Sequence, residues 1–480
     1  MCSGRSLRWW LALALAPAMA ALALGLTGSQ GAAWWLWRGD SARAGLAYGQ
    51  ALAAYRAASA WNPGDDLPHR RAGEIYLLQG RLELADEALW QAYLRDPASL
   101  ANLAALGELS LAQGQPAQAA TWYRRARQLA PGDLATAQAL GRALLAAGQW
   151  DQAVAAFGDA LSLAPADPQA RYYLGLLLAS RDVAAARAHL QGAMPGEWAA
   201  QAADLLAALD ESERAPTPAV RAALLGVAYL RQEQWGLAEA SLREAAVAPA
   251  DQAEALAFLG YALYQQGHLS EAVDTLQRAL ALDPRDGQAR HFLAMAYLRL
   301  GWPLQALEQL AAAYAADPAS PAIAAEIAGA YAETGAYDWA ESWHEQAAKL
   351  SGGDPRYLLL QAAFHVNHAY HVQEKGLPAA EQGLEALLPQ ASPEEAAAAY
   401  AILGRGLYLA GRSEEAETAL RRALALRPGS AQAWFYLGDL HVRQARWPAA
   451  RRAYERAADL DGEGGWRERA ARELGRLPGS

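Results

Sequence analysis

From Asp66 onward the chain repeats itself every 34 residues, and this period constrains the fold more than any other feature. Gly107, Gly141 and Gly175 fall 34 apart, as do Pro97, Pro131 and Pro165. Downstream, Gly226 and Gly260 keep the step, then Pro284 and Pro318, then Gly404 and Gly438. A fixed period of this length marks a stacked repeat architecture, in which each unit buries its apolar face against its neighbours. Such a fold offers a long surface and no pre-made catalytic pocket.

One unit, Leu134 to Asp167, shows the local physics. Leu140, Gly141 and Leu144 share one face of a first helix, and the small Gly141 lets a neighbouring helix come close. Gly148 ends that helix, because glycine accepts the left-handed backbone of a C-terminal cap. A second helix places Ala153, Phe157 and Ala160 on one face, and Pro165 stops it. Leu-Gly, an apolar residue three later, then Ala-x3-aromatic, Ala and Pro at these offsets resemble the tetratricopeptide repeat. The frame fits eleven starts: Asp66, Leu100, Leu134 and Pro168, then Ala219, Ala253, Gly287, Pro321, Pro355, Ala397 and Ala431. The early tryptophan of the repeat is kept only at Trp434.

The resemblance implies an all-α, right-handed superhelical solenoid of helix-turn-helix repeats, with first helices lining the concave side. Ala51, Tyr55, Ala58 and Pro63 match only a second helix, so the array is expected to open with a half unit. The expected organisation is an N-terminal tail, membrane helix and linker over 1–41, and a first block of repeats over 42–195. An irregular segment over 196–218, a second block over 219–464 and a polar capping helix over 465–480 follow. Glu197–Asp210 reads either as an extra helix or as a repeat eroded past recognition. The unit at Pro355 takes 42 residues, its added length falling around 363–376.

Within that insertion His365, His368 and His371 lie three apart, which on a helix spreads them over one broad face. Three imidazoles on a face could hold zinc or a similar metal. However, His365 occupies the slot of a packed aromatic, and no Cys or carboxylate completes a familiar ligand pattern. A packed or solvent-facing cluster is therefore expected, and no cofactor or metal.

The net charge of −10 and the lack of a basic stripe argue against nucleic acid as a partner. Cys2, the only cysteine, allows no disulfide within the chain. Arg5 and Arg8 precede Trp9–Leu26, eighteen residues without a charge, and Trp34, Trp35 and Trp37 follow a short Gly/Ser linker. A span needs about 20 mainly apolar residues and favours tryptophan at its interfaces, so the run from Trp9 to Trp35 is expected to be a single transmembrane anchor, tilted or kinked at Pro17, with an aromatic belt at each end. The basic tail places the repeats outside the cytoplasm; secretion after signal cleavage at Gly31-Ala32-Ala33 is the alternative.

No phosphate-binding loop, HExxH or GxSxG occurs, and nothing outside the repeats is long enough for a second domain, so no enzyme is expected. Carried onto this chain, the repeat frame implies that Tyr172, Phe258, Tyr261, Tyr264, His291, Met295 and Arg299 lie on or near the concave groove. Aromatics beside Met and Arg are residue types that dominate binding energy in peptide recognition. The reading is a non-catalytic scaffold that binds a protein or peptide. A structural subunit of a cell-envelope assembly, in polysaccharide export or secretion, is the alternative.

Overall fold

The computed structural model describes residues 28–194, 196–247, 252–460 and 465–478. Every regular element among them is helical, and most form antiparallel pairs. In the pair Leu134–Ala146 and Trp150–Leu163, Asp133 opens the first helix by accepting from the Thr136 amide at 2.9 Å. Its carboxylate satisfies one of the orphan donors of the first turn. Gly148, at φ +69°, reverses the chain between the two helices. Gly141 is the joint: a Cβ there would lie 2.6 Å from the Phe157 ring, so the helices approach to backbone-on-ring distance. Gly107 meets Tyr123 and Gly438 meets Tyr454 in the same way, always sixteen residues on.

The reversal position carries glycine at 80, 114, 148, 267, 301, 335 and 411, all with positive φ. Ala445 holds it in the unit at Ala431, with φ 54°. A side chain in this region is strained by about 1–2 kcal/mol, so Ala445→Gly should stabilise the last hairpin, by roughly 0.5–1 kcal/mol after glycine's own entropy cost. A rise in the thermal midpoint checks this; no change or a fall contradicts it.

By spatial proximity the chain divides into two compact units. One comprises residues up to Gly132 together with those from Glu417 onward, and the other spans Asp133–Ala416. Within the first, residues far apart in sequence meet. The Gly49 amide donates to Asp459 Oδ2 at 3.0 Å, and Arg456 donates to the Gly45 carbonyl at 2.9 Å. Trp466, opening the helix Trp466–Arg476, lies 5.4 Å from Phe435 and 5.6 Å from Tyr436, ring centre to ring centre.

Three features depart from the sequence-based expectation or resolve it. First, the opening unit is whole, not half. The helix Gly28–Ala44 fills the stretch read as linker, crosses the expected boundary at 41, and packs on Tyr48–Trp61. Gly39 stands against Tyr55, sixteen residues on, and Leu46 takes the reversal position at φ 55°. The pattern is hidden because Arg38 precedes this glycine where Leu140 precedes Gly141. Second, a single helix, Ala199–Glu213, stands between the hairpin Pro168–Leu178/Val183–Ala193 and the hairpin Pro218–Arg231/Trp235–Ala245.

Third, the insertion is not a longer helix. Pro355–His368 ends at Ala369, and both Ala369 and His371 take left-handed backbone before the π-helix Val372–Gly376. The extra length is shared with the next helix, Pro393–Leu409, which begins four residues ahead of Ala397. Of the run Trp9–Trp35, read as a membrane anchor, residues 9–27 lie outside the described residues, and the rest belongs to the helix Gly28–Ala44, whose Gly31 is packed against Trp61 in the array. Among the described residues, no helix is long and apolar enough to cross a membrane.

Candidate functional site

The helices Gln252–Gln265 and Gly287–Arg299 are first helices of successive units and lie side by side. Phe258, Tyr261 and Tyr264 run along the first of them, and all three are half-buried. The Tyr261 ring stacks on Phe292 at 4.5 Å and lies 6.2 Å from Tyr264. Arg299 sits with Cζ 5.3 Å above the Tyr264 ring and donates to the Tyr264 carbonyl at 3.1 Å. His291 Nε2 is 2.7 Å from Glu326, which ties it to the following first helix. Met295 is half-buried and packs on the same apolar cluster as the three aromatics. Six of the seven expected groove residues thus form one strip: Phe258, Tyr261, Tyr264 and Met295 give part of their surface to the core and part to solvent, His291 is half-buried, and Arg299 is exposed.

Tyr172 does not join them. It is 2% exposed, stacks on Trp198 at 4.8 Å, and donates its hydroxyl to Gln232 at 3.0 Å. Burial, with Tyr173 and Asp204 nearby, pushes its phenol pKa up. The interposed helix Ala199–Glu213 explains the correction, because Trp198 at its start covers the ring. A regular repeat would have no such helix, so the repeat frame alone misplaces this residue.

A second feature adjoins the strip. A cleft of about 530 Å³ is lined by Arg142, Leu145, Trp150, Tyr173, Glu233 and Trp235 among others. The side chains of Arg142 and Glu233 make no hydrogen bond or ion pair among the described residues. Trp235 lies edge-on to Tyr261 at 6.4 Å, so cleft and strip share a wall. Sequence reasoning passed over this cleft, yet a signal exists: Trp150 and Trp235 each stand two residues after a reversal position, at Gly148 and Glu233.

The three insertion histidines separate. His365 is fully buried and its Nδ1 lies 2.8 Å from the Tyr370 carbonyl, which can only accept. His368, the last helical residue, packs on Tyr337 at 4.8 Å. His371 leaves the helix and meets Glu341 at 3.0 Å. The chain turn at Ala369 breaks the one-face arrangement that the spacing suggested. No group of three or more His, Cys, Asp or Glu side chains could hold a metal ion among the described residues.

Comparison with known proteins follows this geometry. Sequence profiles of the tetratricopeptide repeat match residues 110–176 and 402–464, and a TPR repeat profile matches 260–301. The cytochrome c-type biogenesis protein CycH of Pseudomonas aeruginosa is 37% identical over 92 residues, which span 16% of this chain and 23% of that protein. A tetratricopeptide repeat protein from Parabacteroides merdae aligns with a TM-score of 0.43 and 16% identity, covering 54% of this chain and 98% of that one. Yeast Tom70 aligns at 0.41 and 15% identity, over 93% of this chain and 95% of its own. Together with the helix pairs joined by a glycine and an aromatic or leucine sixteen residues on, the profile matches show an all-α helical-repeat chain with tetratricopeptide repeats at 110–176, 260–301 and 402–464.

Proposed function

We propose that this protein is a non-catalytic binding scaffold, held at a membrane by Trp9–Leu26, which captures an extended segment of a partner protein along the strip of Phe258, Tyr261, Tyr264, His291, Met295 and Arg299. The observation that carries the reading is the strip itself: aromatic faces left half-open, joined through Trp235 to a cleft with an unpaired Arg142. Half-open aromatics beside Arg and Met bind by burying large area at little entropy cost. The strip is built on packed helices, so the receptor loses little freedom when a flexible segment settles on it. CycH is named for cytochrome c biogenesis, and the limited likeness to it is in keeping with a scaffold of this kind. The basic tail of Arg5 and Arg8 supports a reading with the repeats outside the cytoplasm.

The test is affinity capture of the full-length protein from detergent-solubilised membranes, beside the Tyr261→Ala/Tyr264→Ala double variant, with bound proteins identified by mass spectrometry. A partner retained by wild type should be depleted roughly tenfold or more in the variant, as for residues central to an interface. Hydrogen exchange across 252–299 verifies that the variant stays folded. Equal capture by a folded variant removes the strip from the mechanism.

A further inference from the structure

The helix Gly28–Ala44 has two unlike faces. Its inner face is locked into the array: Gly31 is set so closely on Trp61 that a Cβ would come within 2.6 Å of the indole. Asp40 accepts from the Tyr55 hydroxyl at 2.7 Å, and Arg43 pairs with Glu74 at 2.6 Å. On the outer face Ala33 and Trp37, Trp34 and Trp37, and Trp34 and Arg38 fall three or four residues apart, so these pairs are neighbours. Trp37 is 65% exposed and Trp34 38%. The Arg38 guanidinium lies 5.4 Å and 5.2 Å from the rings of Trp34 and Trp35. It has no carboxylate partner among the described residues, since Asp40 is taken by Tyr55 and Arg71.

Two exposed indoles on one face are unfavourable in water, and with a cation beside them they are suited to one environment. Tryptophan concentrates at the boundary of a bilayer, and arginine there meets lipid phosphate. The position along the chain agrees. The uncharged run ends at Leu26, two residues before this helix begins. The rise from Gly28 to Trp34 and Arg38, about 9–15 Å, exceeds a headgroup layer of roughly 5–8 Å, so the helix reaches that layer with Trp34, Trp37 and Arg38 by lying along it, not by standing across it.

We propose that the outer face of this helix, Trp34, Trp37 and Arg38, seats in the anionic headgroup layer of a lipid bilayer. The array is then mounted on the membrane through one of its own packed helices. The inference rests on the reading of Trp9–Leu26 as an anchor, and the experiment separates the two.

Full-length protein with Cys2→Ser and Ala33→Cys is labelled at the new thiol with an environment-sensitive fluorophore. It is then reconstituted into vesicles of phosphatidylcholine and phosphatidylglycerol. Cys2→Ser/Ser270→Cys, labelled at an exposed position in the other compact unit, is the control. Flotation reads the anchor; quenching by lipid spin-labelled near the headgroup reads the seat. The expected result is flotation of both proteins, with roughly twofold quenching at position 33 and none at 270. Adding Trp37→Ser should reduce that quenching while leaving flotation and the thermal midpoint unchanged, because this indole is mostly solvent-facing. Flotation without quenching at 33 overturns the seat and leaves the anchor standing. Failure to float overturns both. Shielding at 33 that grows with protein-to-lipid ratio assigns the face to a second copy of the chain and also overturns the proposal.

Discussion

Gly141→Ala is expected to destabilise its repeat by about 1–3 kcal/mol, the usual cost of overpacking a filled interior. The added methyl would lie 2.6 Å from Cζ of Phe157, whose ring is fully buried and cannot step aside. Gly158→Ala, in the helix facing it, should do the reverse. A Cβ there meets nothing within 4 Å, and removing a helical glycine stabilises by roughly 0.5–1 kcal/mol. The pair is informative because the chemistry is the same and only the surroundings differ. Hydrogen exchange over 134–163 is the appropriate measurement, since repeat arrays open locally. Equal protection in the two variants would mean that Gly141 is not a packing joint.

Acid should loosen the repeat that contains His344. This side chain is 7% exposed and packs 5.0 Å from the Phe364 ring. Burial, reinforced by the neighbouring His365 and His368, lowers its pKa from 6.5 to about 4. The native state therefore holds the ring neutral in a range where the unfolded chain would already take up a proton. Its contribution is complete above about pH 6.5 and is lost as the pH falls towards 4. The full span corresponds to about 3 kcal/mol. His344→Phe, apolar and similar in size, should flatten this part of the pH profile. The measurement is denaturant unfolding of wild type and variant at pH 7 and pH 5. Parallel losses in both proteins would show that His344 does not supply the acid sensitivity.

Much of the fold was legible because repeat physics is local. Each unit states its own instructions: a capping Ser or Asp, a small residue at the helix crossing, a ring or leucine sixteen residues on, glycine at the reversal. Errors arose where a neighbour, not the unit itself, decides the outcome. Arg38-Gly39 carries the crossing glycine without the leucine that makes it recognisable, so a whole repeat read as half of one. His365, His368 and His371 have helical spacing, but Ala369 turns left-handed between them and sends His371 towards Glu341. Tyr172 matches a groove position in the repeat frame but is roofed by Trp198, the residue that opens the interposed helix Ala199–Glu213.

The same division holds for the candidate site. Phe258, Tyr261 and Tyr264 share a strip because three-residue steps on a helix keep side chains together, which the sequence states directly. The Phe292 stack, the Arg299 cover and the cleft beside Trp235 require knowing which helices are adjacent and how far they are turned. By itself, then, the sequence determined the repeat, its helix pairs and the residue types on each face, since these follow from interactions a few residues apart. The tertiary structure alone decided which aromatics stay open, how the histidines are partnered, and that Gly45 and Gly49 meet Arg456 and Asp459. Those outcomes depend on contacts between distant parts of the chain, and a 34-residue period carries no information about them.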